Sequence, residues 1–177
     1  LYQSAEDPGL HYKQYLEDIL LALELQGARL VPAFRYFRAH HNKTFMELLR
    51  DLSPIPGLSS IRARVYGTYE DFARETTAYP VVIKGAEGAG STSVRLVRNA
   101  REKARHGKAI SWTGEIVASV KEWMKRRVRS YHVARSMYRR RFVVKDFLQD
   151  MTYDFKVLVY GGKYYVLQRR NRPHDFR

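Results

Sequence analysis

The sequence predicts an α+β fold in which helices are interspersed with antiparallel, hairpin-linked strands. Three observations carry this. Apolar residues recur at helical spacing in residues 11–26 and 43–52. Short runs rich in Val, Ile, Tyr and Phe, such as "YPVVIK" and "YDFKVLVY", read as strands. Two glycine-bearing turns join neighbouring runs: the loop "GAEGAG" at 85–90, and Gly161-Gly162 near the end.

In order, "HYKQYLEDILLALELQ" places Tyr12, Tyr15, Leu16, Ile19, Leu20 and Leu23 on one helical face, and Gly27 is a natural stop. "ARLVPAF" (28–34) reads as a short extended segment, with Pro32 restricting it to an edge. Asn42 caps a helix, "KTFMELLRDL", with an apolar face of Phe45, Leu48, Leu49 and Leu52. "SPIPG" breaks the chain, and "IRARVYG" alternates like a strand. Thr68 with Asp71 opens the helix "YEDFARET". "YPVVIK", the glycine loop and "SVRLVR" follow as strand, turn and strand. Asn99 with Glu102 opens a short helix that Gly107 is expected to end. Residues 112–141 are very basic and mostly helical in preference. "FVVKDFL", "YDFKVLVY" and "KYYVLQRR" are the last strands. No internal repeat or low-complexity tract occurs.

The bulk composition narrows the function. With 177 residues, 45% of them hydrophobic, the chain can bury a core as one sizeable domain or two small lobes. No apolar run reaches the roughly 20 residues of a membrane span. "LYQSAEDPGL" has neither the basic nor the apolar region of a secretory signal. It also lacks a starting methionine, which points to an excised or partial piece. Cysteine is absent, which excludes disulfides and thiolate chemistry and fits a reducing, cytoplasmic setting. The net charge of +14 marks a basic protein and favours polyanionic partners: nucleic acid, nucleotides, acidic lipid or acidic polymers.

The stretch "YPVVIKGAEGAGSTSVRLV" (79–97) sets a lysine directly before a loop with three glycines. A P-loop would place lysine after the second spaced glycine and then a helix; here Ser91 stands at that position and a strand follows. A dinucleotide fingerprint would need glycine at Ser93 and a helix. The kinase elements H-R-D and D-F-G are absent. What is left is a hairpin tip whose backbone N–H groups, from Gly85 to Ser91, suit phosphate oxygens, beside the point charge of Lys84. Read by itself, the loop fits a flexible tip with an exposed lysine equally well.

Other segments tip that balance. The lysine-plus-glycine-loop segment resembles that of ATP-grasp enzymes, in which a second lysine precedes the loop by about forty residues at the start of a helix. "HNKTFMELLRD" matches: Lys43 follows Asn42 in the first helical turn, 41 residues before Lys84. "VVKDFLQDMTYDFKVLVYGGKYYVLQRR" resembles the family's hinge strand and following hairpin. The resemblance places adenine against Lys145, Asp146, Phe147 and Leu148, although the family more often carries a carboxylate at the position of Lys145. It places Asp154 and Lys156 near ribose and phosphate, and Gly85, Gly88, Gly90 and Ser91 over the phosphates. Arg169, Arg170 and Arg177 match its phosphate- or substrate-binding basic residues. The resemblance spans about 35–177, in the branch of carboxylate–amine ligases related to ribosomal-protein glutamate ligases.

The resemblance implies a two-lobe fold with antiparallel sheets and nucleotide between the lobes. Residues 1–54 would be the remnant of an upstream domain with the first lysine helix, 55–145 the small lobe, and 146–177 the start of the second. The implied reaction is ligation of a carboxylate to an amine or similar nucleophile through an acylphosphate, with ATP and magnesium. The family's metal ligands lie beyond the position of Arg177, so no metal residue is assigned within this chain, and no catalytic side chain is singled out.

Two rivals stand beside this reading. "KEWMKRRVRSYHVARSMYRRR" (121–141) interleaves basic and aromatic residues, as a nucleic-acid- or polyanion-binding module without catalysis would. A grasp-fold remnant that binds no nucleotide is the other. The six histidines form no metal motif, and neither Ser91 nor Ser93 has a hydrolase partner in sequence.

Overall fold

The computed structural model describes residues 11–40, 42–55, 57–58, 62–87, 93–128 and 135–170. Helices α1 (His11–Leu25), α2 (Phe34–Ala39) and α3 (Lys43–Asp51) precede strand β1 (Ala63–Tyr66) and helix α4 (Tyr69–Arg74). Strands β2 (Val81–Gly85) and β3 (Val94–Val97) form the glycine-loop hairpin. Helices α5 (Ala100–Ser111) and α6 (Ile116–Val128) lead to β4 (Phe142–Asp146), and β5 (Tyr153–Tyr160) pairs with β6 (Lys163–Arg170). The chain therefore has the expected mixture of helices and antiparallel sheet.

The main sheet has the order β1-β4-β2-β3, antiparallel throughout, so β4 and β2 are its central strands. The pleat divides it into two faces. One face carries Tyr66, Val81, Ile83, Val97, Phe142 and Val144, which make the core with Phe72 of α4 and Ile110 of α5. Three rings lock it: Phe72 meets Tyr66 at 4.9 Å and Phe142 at 5.5 Å between centroids. Tyr66 Oη donates to Glu75 at 2.8 Å. Burial and that carboxylate push the phenol up to about 12. The other face carries Val65, Val82, Lys84, Val143 and Lys145, and α3 packs over it.

The three caps form as the sequence predicts. Asn42 Oδ1 accepts from Phe45 N (3.2 Å), Thr68 Oγ1 from Asp71 N (3.2 Å) and Asn99 Oδ1 from Glu102 N (2.9 Å). Glu102 reaches back to Arg98 N at 2.7 Å, which completes a capping box one residue early.

Four expectations are corrected. Residues 28–33 form no strand, and Phe34–Ala39 is a helix, because Phe37 turns inward beneath the Lys13 ammonium, 5.3 Å from its ring centre. The apolar face of α1 stays largely exposed; Leu20 is buried, whereas Tyr12, Tyr15, Ile19 and Leu23 are not. Gly107 does not end its helix, which runs on to Ser111. Of the basic segment, α6 is helical, but 135–141 runs extended into β4. It is tied there by Tyr69 N to Tyr138 O (3.0 Å) and Arg140 N to Ser111 O (2.9 Å).

Gly107 is a packing glycine. A Cβ there would lie 2.9 Å from Tyr69 Cδ2 and 3.3 Å from Phe72 Cδ1. Gly107→Leu is expected to lower stability by about 1–3 kcal/mol through overpacking, less whatever helix propensity returns. A denaturant melt that shows no loss would contradict this packing role.

The hairpin β5–β6 forms a separate two-stranded sheet, turned by Gly161 at φ 59°. It does not pack on the main sheet, and β6 is exposed along its length.

Candidate functional site

The site is built where α3 meets the inner ends of β2 and β4. Lys43 N, at the head of α3, donates to Ala86 O at 2.8 Å, and Ala86 N donates to Arg141 O at 3.0 Å. These two backbone bonds fasten the start of the helix to the base of the glycine loop. Lys43 is therefore held beside the loop, as the 41-residue spacing suggested.

Lys84 and Lys145 project from the same sheet face. Lys84 sits opposite Val143, and Lys145 sits opposite Val82, which makes the two lysines diagonal neighbours. Between them α3 inserts Glu47, whose carboxylate pairs with Lys145 through Oε1 and with Arg50 through Oε2 at 2.6 Å. Glu47 is buried, and so is Thr44, whose Oγ1 has no hydrogen-bond partner among the described residues. The expected apolar face of α3 is thus turned inward only in part, with Phe45 and Leu49 half-buried. Leu48 and Leu52 face outward, and the helix turns Thr44 and Glu47 to the sheet. Two lysines on that sheet face require a carboxylate more than they require leucine.

The electrostatics are unbalanced toward positive charge. Burial lowers the Lys84 ammonium below its ordinary 10.5; Lys145 and Lys43 lower it further, and Glu47 opposes them. Burial likewise lowers Lys43, partly offset by Glu87. No ion-pair partner of Lys84 lies among the described residues. Glu87 also takes Arg141 Nη2 at 2.9 Å, so it stands between two cations at the loop base. A depression of about 390 Å³ opens beside Asn42, with Lys13, Arg38 and Arg141 and the acids Glu17, Asp18 and Glu87 in its lining.

Gly85 belongs to the opposite face. A Cβ there would meet Ser93 Oγ at 3.1 Å, and Gly85 N donates to Ser93 O at 3.2 Å. A side chain there would crowd Ser93 at the hairpin base. Gly85 also lines a cavity of about 460 Å³ with Arg95, His106 and Arg141, away from Lys84.

The remaining sequence-predicted residues are not brought to this cluster. Asp146 ends β4 opposite Val81, on the face away from Lys145, and its N–H donates to Arg62 O at 3.3 Å. Phe147 and the exposed Leu148 follow it. Asp154 pairs not with Lys156 but across the hairpin with Arg169, at 2.8 and 2.6 Å. Lys156 shares their face, whereas Arg170, opposite Tyr153, lies on the other. Gly88, Gly90, Ser91 and Arg177 lie outside the described residues. Among the described residues no group of three or more His, Cys, Asp or Glu is placed to hold a metal ion.

Sequence reading missed Glu47, Arg50, Glu87 and Arg141. A signal for the first two was present: Glu47 lies four residues after Lys43 and Arg50 three after Glu47, one charged stripe on a helix otherwise rich in leucine.

No protein-family model matches the chain, and no curated protein matches it significantly in sequence. Solved structures do resemble it. The L-amino acid ligase from Bacillus licheniformis superimposes with a TM-score of 0.50 at 16% identity, over 86% of this chain and 32% of the ligase. The D-alanine-D-alanine ligase from Helicobacter pylori gives 0.45 at 10% identity, over 78% of this chain and 36% of the ligase. The chain thus spans about a third of the length of these enzymes. The superposition on the L-amino acid ligase supports an ATP-grasp-like α+β fold.

Proposed function

We propose that this chain supplies the ATP-binding cleft of a ligase that joins a carboxylate to an amine or similar nucleophile. The observation that carries this is the convergence of Lys43 and Lys145, far apart in sequence, on the buried Lys84, with Glu47 and Glu87 as the opposing carboxylates among the described residues. A cluster with more ammonium than carboxylate, at a helix N-terminus and beside a glycine loop, is suited to a polyphosphate. The likeness to an L-amino acid ligase adds the fold.

In this reading Lys43 and Lys84 hold the phosphates, under a loop that includes Gly85, Gly88, Gly90 and Ser91. Lys145, Asp146, Phe147 and Leu148 border the adenine, and Asp154 and Lys156 stand toward ribose and phosphate. Arg169, Arg170 and Arg177 receive the acidic substrate. The lobes divide as 55–145 and 146–177, after an upstream remnant of 1–54. The γ-phosphoryl group passes to a carboxylate oxygen, breaking the bond to the β-phosphate oxygen and releasing ADP. The amine then attacks the acyl carbon and inorganic phosphate leaves. The chain's lysines neutralise the phosphates and hold them in line, which is the main help such a transfer needs. Magnesium, when bound, would add positive charge at the phosphates.

The test is a fluorescence titration with an N-methylanthraniloyl ATP analogue across pH. Only protonated Lys84 attracts phosphate, and its folded pKa lies below 10.5. Affinity is therefore expected to decline as pH rises through that lowered value, because bound phosphate favours the proton that free Lys84 has released. The same depression has a stability consequence: the cost of burying the charged lysine is present below the lowered pKa and is relieved as pH rises toward 10.5. Absence of binding at neutral pH, or affinity flat up to 10.5, would contradict the proposal.

A further inference from the structure

Helix α6 has a feature that nucleotide binding does not use. Ile116, Val117, Val120, Trp123, Met124 and Val128 fall within an arc of about 140° at 100° per residue. In a packed helix such a stripe would face the core. Here all six are between 48% and 82% exposed, and α6 packs closely on no other described helix or strand. Basic residues edge the stripe. Lys121 and Lys125 lie along one side, whereas Arg127 falls within the arc itself, its guanidinium over the Trp123 ring, 4.9 Å from its centre. The sole acid of the helix, Glu122, lies toward the opposite face and is paired with Lys125 at 3.1 Å. Residues 121–141 hold nine Lys and Arg against that one acid.

We infer that α6 is an interfacial helix that lays this stripe onto an anionic lipid surface. The stripe argues against nucleic acid, which offers backbone charge and stacking but nothing to cover a row of Ile, Val and Met. The lysine edges argue against a protein groove, because lysine is depleted in protein interfaces whereas at a bilayer its stem lies on apolar ground and its ammonium reaches phosphate. At 13 residues, α6 lies on a membrane and does not cross it; no described helix is long and apolar enough to span.

The test is co-sedimentation of the chain with vesicles of phosphatidylserine and phosphatidylcholine, beside phosphatidylcholine alone. Binding is expected only to the mixed vesicles, weaker at high salt, with a blue shift of tryptophan emission that Trp123→Phe removes. The double variant Val120→Asp, Met124→Asp is expected to lower partitioning at least tenfold. Because α6 stands off the sheet, the double variant should keep the parent's melting curve and ATP-analogue affinity, so failure here is separable from failure of the nucleotide reading. Three results would overturn the inference. They are no vesicle binding, binding that the double variant leaves unchanged, or self-association lost in the double variant without any vesicle binding. The last would assign the stripe to a second copy of the chain.

Discussion

Glu47→Ala is expected to destabilise the chain by about 3 kcal/mol, the largest stability effect of any single substitution in the site. The reason is local. Glu47 is buried, with Lys145 on one oxygen and Arg50 on the other, and Lys84 feels its charge. Removing the carboxylate leaves three cations facing one another across α3 and the sheet. The loss belongs at the lower end of the range for broken buried pairs because the Lys145 side chain stays 25% exposed and retains some water. For a chain of this size the melting temperature should fall by roughly 6–12 °C. A partner variant makes the cause visible. Glu47→Leu with Lys145→Met replaces the pair by apolar side chains and should recover most of the loss, since burying an ion pair gains little over good packing. An unchanged melting temperature in Glu47→Ala would show that the carboxylate does not hold the site.

Lys84→Ala is expected to do the reverse: to weaken ATP-analogue binding about tenfold or more and leave stability unchanged or slightly raised. One charge-assisted contact to phosphate is worth about 1.5–3 kcal/mol, which sets the fold-change. On the stability side Lys84 is a liability. It is desolvated, with Lys43 and Lys145 as its close cations and Glu47, already shared, as the opposing charge. A residue that costs the fold and serves a ligand separates the two readouts, and a purely structural lysine would not. The buried Thr44 Oγ1, next in sequence to Lys43 and without a hydrogen-bond partner among the described residues, belongs to the same pattern of polarity turned inward.

Much of the fold was legible because its signals are local. Asn42, Thr68 and Asn99 announce helix starts through side chains that reach only three residues on, and all three do so. The β2–β3 and β5–β6 hairpins likewise follow from turn glycines between alternating runs. The failures lie where tertiary contact decides. Gly107 looks like a stop in sequence, but its missing side chain makes room for Tyr69 and Phe72. On α3 the leucines mark an apolar face, yet Lys84 and Lys145, 41 and 102 residues away from Lys43, draw Glu47 inward instead. The spacing of Lys43 and Lys84 was readable; the carboxylate that organises them was not, because its importance arises from strand register.

The most direct measurement is calorimetric titration of this chain and of Lys84→Ala with a non-hydrolysable ATP analogue and magnesium at moderate salt. If the lysine cluster holds the phosphates, the parent binds and the variant, with its melting temperature retained, binds at least about tenfold more weakly. Equal affinity in the two chains, or no binding in the parent, would contradict it.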